Sequence, residues 1–287
     1  MERRRKLREL VNRKAGLVIP GAYDCVSARL VERAGFPAVY MTGYGTSASR
    51  LGLPDLGFAG LAEMVENARQ MAEGVGIPLI ADADTGYGNP LQVRRTVRAY
   101  EAAGVAALHL EDQVAPKRCG HLAGKEVIPV EEMVQKLRAA VEARQDPDLL
   151  LIARTDAIAA IGFEEALRRG ERYAEAGADV LFIEAPVSAA EIETIAKSFE
   201  VPLLFNYAAG GRSPLLPFSR LRELGYAIIL LPVDTLFVAA RAMADYLAAL
   251  AGGDQAPADR ERLMAFSEFN ALIGVPEMTA LEQRYRT

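Results

Sequence analysis

Two acids two positions apart, Asp82 and Asp84 in ADADTGYGN, and a cysteine two positions before a histidine, Cys119 and His121 in KRCGH, have types and spacing that suggest chemistry. On an extended strand Asp82 and Asp84 project to the same side. Glu111, at the end of ALHLE, would join them from a neighbouring strand. Three carboxylates at one place repel unless a cation intervenes, and oxygen donors without a histidine or cysteine cluster suit Mg2+ or Mn2+. The plainer alternative, that some of these acids cap helices or pair with bases, stays open at this point.

In KRCGH the neighbours Lys117, Arg118 and His121 would lower the thiol pKa of Cys119 and make it a usable acid or base near neutrality. Zinc is the competing reading, but the chain holds 2 cysteines and 2 histidines and no C-x-x-C. Cys25, inside the helical pattern DCVSARL, reads as a buried small hydrophobe. Arg154, closing LLLIAR, fits either an anion clamp or a structural ion pair. The turn TGYGTSA offers backbone N–H groups of Thr42, Gly43 and Tyr44 to a carboxylate or phosphate, while His109 suits a core histidine or a site residue equally.

The elements that must carry these residues recur regularly. Eight short apolar runs, GLVIPGAYD, AVYMTGYG, PLIADADTG, ALHLEDQ, LLLIARTDA, DVLFIEAP, PLLFNY and AIILLPVD, each end in polar or glycine-rich residues. Near-continuous hydrophobicity over such short lengths predicts strands covered on both faces. Amphipathic stretches such as LAEMVENARQMAEG and FEEALRRGERYAEAG lie between them, several stopping at glycine. Strand alternating with helix eight times predicts an α/β fold, a (β/α)8 TIM barrel, over a doubly wound open sheet. Polar residues after each strand then form one ring at the mouth. It comprises Tyr40, Thr42, Gly43 and Tyr44; Asp82 and Asp84; His109, Glu111 and Asp112; Arg154 and Asp156; Glu184; Asn206; and Asp234.

Residues 1–287 read as one domain, with 234–287 as a C-terminal helical extension whose surplus apolar residues must pack on something, plausibly another subunit. The composition, 51% hydrophobic and 25% charged, is that of a chain able to bury a large core. A net charge of -5 argues against nucleic acid as a partner. No 18-residue uncharged apolar stretch exists, so no membrane helix is expected, and MERRRKLREL reads as a solvated first helix. Two cysteines make no disulfide scaffold, which suits a reducing cytoplasm.

Taken in order, VYMTGYGTSA, LPDLGF, DADTGYGN, HLEDQ, PKRCGH, ARTDA, FIEAP and FNYAAGG resemble the isocitrate lyase and phosphoenolpyruvate mutase superfamily, from about residue 15 to 250. The resemblance implies a (β/α)8 barrel with Mg2+ at the strand ends, in a homotetramer that exchanges terminal helices. It implies Asp82, Asp84 and Glu111 around the metal, and Thr42, Gly43, Tyr44, Asp55, Arg154, Glu184 and Asn206 around the substrate. KRCGH matches the lyase signature of a gating loop, with Gly120 and His121 near the substrate and Cys119 as the acid. Tyr40 is the expected base.

The implied reaction is carbon–carbon cleavage of a 2-hydroxy dicarboxylate to a 2-oxo acid such as pyruvate and a carboxylate. Alternatives are phosphonomutase chemistry on a phosphonate substrate, oxaloacetate hydrolysis or decarboxylation, methylisocitrate cleavage, and a non-catalytic dicarboxylate-binding barrel. Members similar to methylisocitrate lyases carry two arginines where this chain has Leu122 and Phe237. A tricarboxylate would thus lose two charge-assisted partners, each worth about 1.5–3 kcal/mol, and a smaller 2-alkylmalate is expected.

Overall fold

Each of the eight apolar runs forms a strand, and the strands close a parallel barrel in which the first pairs with the last. The computed structural model describes residues 2–120, 124–253 and 263–286. The first quarter holds α1 (Glu2–Asn12), β1 (Leu17–Ala22), α2 (Cys25–Arg33), β2 (Val39–Met41), α3 (Gly43–Thr46) and α4 (Leu61–Gly74). The acids and the cysteine loop follow within β3 (Leu79–Asp82), α5 (Pro90–Ala102), β4 (Ala107–Glu111) and α6 (Val130–Ala143). Next come β5 (Leu150–Thr155), α7 (Ala157–Ile161), α8 (Phe163–Glu175), β6 (Val180–Ile183) and α9 (Ala189–Ser198). The barrel ends with β7 (Leu203–Asn206), α10 (Phe218–Glu223), β8 (Ile228–Leu231) and α11 (Asp234–Ala251), and α12 (Phe266–Leu272) and α13 (Val275–Arg284) lie beyond it.

The strands are apolar throughout because both of their faces are covered. Inward residues Ile19, Tyr40, Ile80, Ile152, Phe182, Leu204 and Leu230 fill the barrel. Their outward neighbours, among them Met41, Leu108, Leu151 and Leu181, meet Met64, Val97, Met133 and Leu137 of the helices. Helix starts follow the expected chemistry. Asp24 accepts from Ser27 N at 2.7 Å while Ser27 Oγ accepts from Asp24 N at 3.1 Å, and Asn89 caps α5 with Pro90 at its first position.

The first helix departs from expectation. Rather than standing in solvent, α1 closes the bottom of the barrel, with Leu7 and Val11 at 0% exposure. Its arginines are spent on the strand-entry loops: Arg3 donates to the carbonyls of Ala72 and Val75, and Arg4 to that of Val105. A sequence periodicity of basic residues shows charge, not what that charge will bond.

Register sets the mouth. Asp82 pairs with His109, Glu111 with Arg154, and Arg154 with Phe182, so acid, base and ring stand at one level. At the other extreme α11 and α13 contain no buried residue, with Val238 70% and Met278 63% exposed. Arg29 donates to the carbonyl of Leu272 at 2.8 Å and fixes α12 against α2. Among the described residues no helix is long and apolar enough to cross a membrane.

Candidate active site at the strand ends

A cavity of about 290 Å³ opens at the C-terminal end of the barrel, the face where loops after parallel strands carry chemistry. Of the residues expected from sequence, Tyr40, Thr42, Tyr44, Asp55, Asp82, Cys119, Gly120, Arg154, Glu184 and Asn206 line it. His121 and Leu122 lie outside the described residues. Asp84 and Glu111 stand behind the wall, 5% and 1% exposed.

Asp82, at the end of β3, accepts from Asp84 N at 2.9 Å and from Gly43 N at 3.2 Å. A Cβ on Gly43 would come within 2.3 Å of Asp82 Oδ2, so glycine is what lets the β2 turn close on this acid. That contact revises one expectation, because the Gly43 N–H is committed to Asp82 and the Gly45 N–H to Thr42 Oγ. The turn meets the cavity through Thr42 and Tyr44 instead.

Burial tends to raise Asp82, but neighbouring His109, the charges of Lys117 and Arg154 and the Asp84 N–H outweigh it and hold the carboxyl below its ordinary range. Asp84 goes the other way, to about 7, because burial and the charges of Asp82 and Asp55 exceed the pull of Lys117. Glu111 is also raised, chiefly by burial. It accepts from Gln113 Nε2 at 2.9 Å and lies 3.4 Å from Arg154 Nε.

Lys117 is the main surprise. Its ammonium sits 2.5 Å from Asp55 Oδ1 and 2.8 Å from Asp84 Oδ1, so two carboxylates hold the charge that was expected to act on the thiol. Arg118 is exposed, and only its backbone is held, with its N–H on Gln113 Oε1 at 3.0 Å and its carbonyl on Gln113 Nε2 at 2.8 Å. Cys119 is half-buried, and its N–H donates to the Asp55 carbonyl at 3.1 Å. Cys25, also half-buried, opens α2 and packs against the core, and burial raises its thiol.

The expected trio of Asp82, Asp84 and Glu111 is not gathered into one ligand shell. Among the described residues no three His, Cys, Asp or Glu side chains are close enough to hold an ion as they stand. Glu111 is turned towards Gln113 and Arg154, and Lys117 lies between Asp55 and Asp84. The donors nonetheless fit a hard divalent ion: they are all oxygen, and two buried carboxylates, Asp55 and Asp84, share the single Lys117 ammonium.

Tyr40 is ill-suited to removing a proton in this state. Burial drives its phenol well above 10, and its hydroxyl lies 2.8 Å from His109 Nε2 and 3.4 Å from Asp82 Oδ2. His109, 0% exposed and pushed down to about 4 by burial, is a neutral core histidine beneath the cavity. Asp112 also leaves the ring: its carboxylate accepts from Thr155, Arg169 and Tyr173 behind the sheet, a structural role.

Arg154 lies 4.9 Å above the Phe182 ring and donates through Nε and Nη2 to Asp156 at 2.9 and 3.1 Å. Asn206 Nδ2 donates to both Glu184 oxygens at 3.2 Å. The remaining wall is apolar, with Leu230, Pro232, Val233 and Phe237, the last edge-on to Tyr44 at 6.0 Å. Gln113, Phe182, Leu230, Pro232 and Val233 were missed from sequence, and Lys117 was noted only as a neighbour of the thiol. A readable signal existed for one of them, since Gln113 directly follows the acids of HLEDQ.

The chain is similar in sequence and fold to known proteins over nearly its whole length. Residues 7–251 match the family model described as phosphoenolpyruvate phosphomutase. The chain is 48% identical over 282 residues to 2,3-dimethylmalate lyase of Eubacterium barkeri, covering 98% of each. Its fold matches oxaloacetate acetylhydrolase in complex with 3,3-difluorooxalacetate at TM-score 0.92 and 39% identity, covering 97% of this chain and 95% of that one. It also matches phosphonopyruvate hydrolase in complex with oxalate and Mg2+ at TM-score 0.89 and 34% identity, covering 99% of both.

Proposed function

The chain belongs to the phosphoenolpyruvate phosphomutase family, within the superfamily shared with isocitrate lyase, and from that premise we propose the reaction its mouth performs. It is a carbon–carbon bond lyase acting on a small 2-hydroxy dicarboxylate of the 2-alkylmalate type. The observation that carries this reading is one cavity with unlike walls: acids, Arg154 and Cys119 on one side, Leu230, Pro232, Val233 and Phe237 on the other. A carboxylate and hydroxyl suit the first wall, and alkyl groups suit the second.

Asp82 and Asp84 would hold the metal together with Glu111, and Mg2+ is the ion we assign, as in the phosphonopyruvate hydrolase complex. Mn2+ has the same donor preference. When bound, the ion supplies Lewis acidity towards the hydroxyl and its neighbouring carboxylate. Thr42, Tyr44 and Asn206 orient the dicarboxylate. The hydroxyl proton passes to a carboxylate on the wall, Asp55 being the candidate, while Tyr40 keeps its own proton and donates a hydrogen bond. As the C2–C3 bond breaks, a 2-oxo acid forms and Arg154 stabilises the charge gathering on the departing carboxylate. Cys119 then gives its proton to the enolate carbon.

Phe237 takes the place of a charged partner for a third carboxylate, which disfavours methylisocitrate. The exposed apolar faces of α11 to α13 support packing of these helices on further copies of the chain, in a homotetramer. The absence of a membrane-crossing helix among the described residues and the two thiols fit a reducing cytoplasm. The test is a panel of 2-alkylmalates, methylisocitrate, oxaloacetate and a phosphonoenolpyruvate-type compound with Mg2+, read by 2-oxo acid release and phosphorus NMR. 2-Oxo acid from alkylmalates supports the reading. Oxalate from oxaloacetate alone, or a change in phosphorus signals alone, rejects it.

A further inference from the structure

Lys125 and Asp156 do not line the cavity, yet they touch both of its working parts. The Lys125 ammonium, 1% exposed, donates to Asp156 Oδ1 at 2.6 Å and to the carbonyl oxygen of Gly120. Asp156, 0% exposed, receives Arg154 Nε on Oδ2 at 2.9 Å and Nη2 on Oδ1 at 3.1 Å, and its N–H donates to Asp112 Oδ1 at 2.9 Å. Gly120 itself lies against Arg154, since a Cβ there would come within 2.3 Å of Nη2 and 3.0 Å of Glu184. One buried cation therefore joins the residue after Cys119 to the carboxylate that orients Arg154.

A buried ammonium is tolerated with an anionic partner and with further donors used, and Asp156 and the Gly120 carbonyl take two of its three N–H groups. We propose that Lys125 is a positioning residue that holds the Cys119–Gly120 segment in register with Arg154 by bridging Gly120 to Asp156. The thiol and the guanidinium must face the same small substrate from two elements that share no direct covalent support. A misplacement of about 1 Å between such groups costs on the order of 100-fold in rate. The kinetic consequence rests on the lyase reading above; the geometric consequence does not.

The test uses full-length protein carrying Cys25→Ser, so that iodoacetamide modifies Cys119 alone, followed by intact mass without any ligand. Lys125→Met is expected to speed alkylation by about tenfold or more, because Gly120 loses its anchor, with an unchanged circular dichroism spectrum and a lowered Tm. An unchanged rate in the folded variant overturns the proposal. Lys125→Gln, which keeps a donor for Gly120 but removes the charge, enters the same assay should the Met variant misfold, with a smaller acceleration expected and none overturning the idea. In turnover, Lys125→Met should lower kcat about 100-fold with little change in KM, and adding Asp156→Asn should cost less than the two separate losses combined. Fully additive losses overturn the bridge. If the parent releases no 2-oxo acid from any alkylmalate, the lyase reading fails, and the alkylation rates still decide the role of Lys125.

Discussion

The cavity wall built from β2 to β5 and the wall built from β6 to β8 differ in charge, in packing and in what holds each side chain in place. In and behind the first wall the acids hold charged or polar partners, several of them shared: Asp55 and Asp84 share Lys117, Glu111 leans on Arg154 and Gln113, and Asp156 receives both Arg154 and Lys125. The second wall, apart from the Glu184–Asn206 pair, is a set of side chains with nothing to donate: Phe182, Leu230, Pro232, Val233 and Phe237. A charged wall is tuned by removing one partner, because the other is then left buried and unpaired. An apolar wall is tuned by volume, methylene by methylene, with gentler consequences.

The two walls should therefore respond to substitution on different scales. Asp84→Ala removes an acid assigned to the metal, and metal-dependent turnover should fall about 1,000-fold or more, with Mg2+ affinity lost in calorimetry. A variant as active as the parent without metal breaks the assignment of the first wall. Cys119→Ser should lower turnover by about 100- to 10,000-fold while Mg2+ and pyruvate still bind. Unchanged turnover removes the thiol from the reaction.

Phe237→Ala, in the second wall, should change the preference between alkylmalates of different size by about 10- to 200-fold in kcat/KM and leave the metal dependence as it was. Loss of all activity from this change would erase the distinction between the walls. The smallest effect concerns stability. Although burial opposes its charge, Asp156 is held down to about 2 by Arg154 and Lys125, so its ionised form favours the folded state above the ordinary carboxylate range. That contribution, on the order of 2 kcal/mol, is lost as pH falls through about 2. The Tm deficit of Asp156→Asn should accordingly shrink as pH is lowered from 5 towards 3, and a constant deficit would show that the charge is not what matters.

Most of the barrel could be read from the chain because burial on two faces leaves an unmistakable trace: short, continuous apolar runs at even spacing. The ring of strand-end residues followed from that, and so Asp82, Arg154, Glu184 and Asn206 were found by position. What strand spacing does not encode is where side chains turn once the strand has ended. Lys117 is next to Cys119 in KRCGH, yet the loop aims it back at Asp55 and Asp84. Asp112 follows Glu111 directly and faces the other side of the sheet, towards Arg169 and Tyr173. The first helix misled for a related reason, since Arg3 and Arg4 look solvated until the carbonyls they bond are known. Apart from Phe237, the apolar wall drew no attention because leucine, proline and valine at a strand end look like core.

The central claim is that acids and a metal cleave a bond while an apolar wall reads the alkyl group. It is tested most directly by kcat/KM for malate, 2-methylmalate and 2,3-dimethylmalate with and without Mg2+, read as 2-oxo acid. The account predicts product only with the metal and a gain of about tenfold or more from malate to the dimethyl compound. Equal values across the series, or 2-oxo acid released without metal, would contradict it.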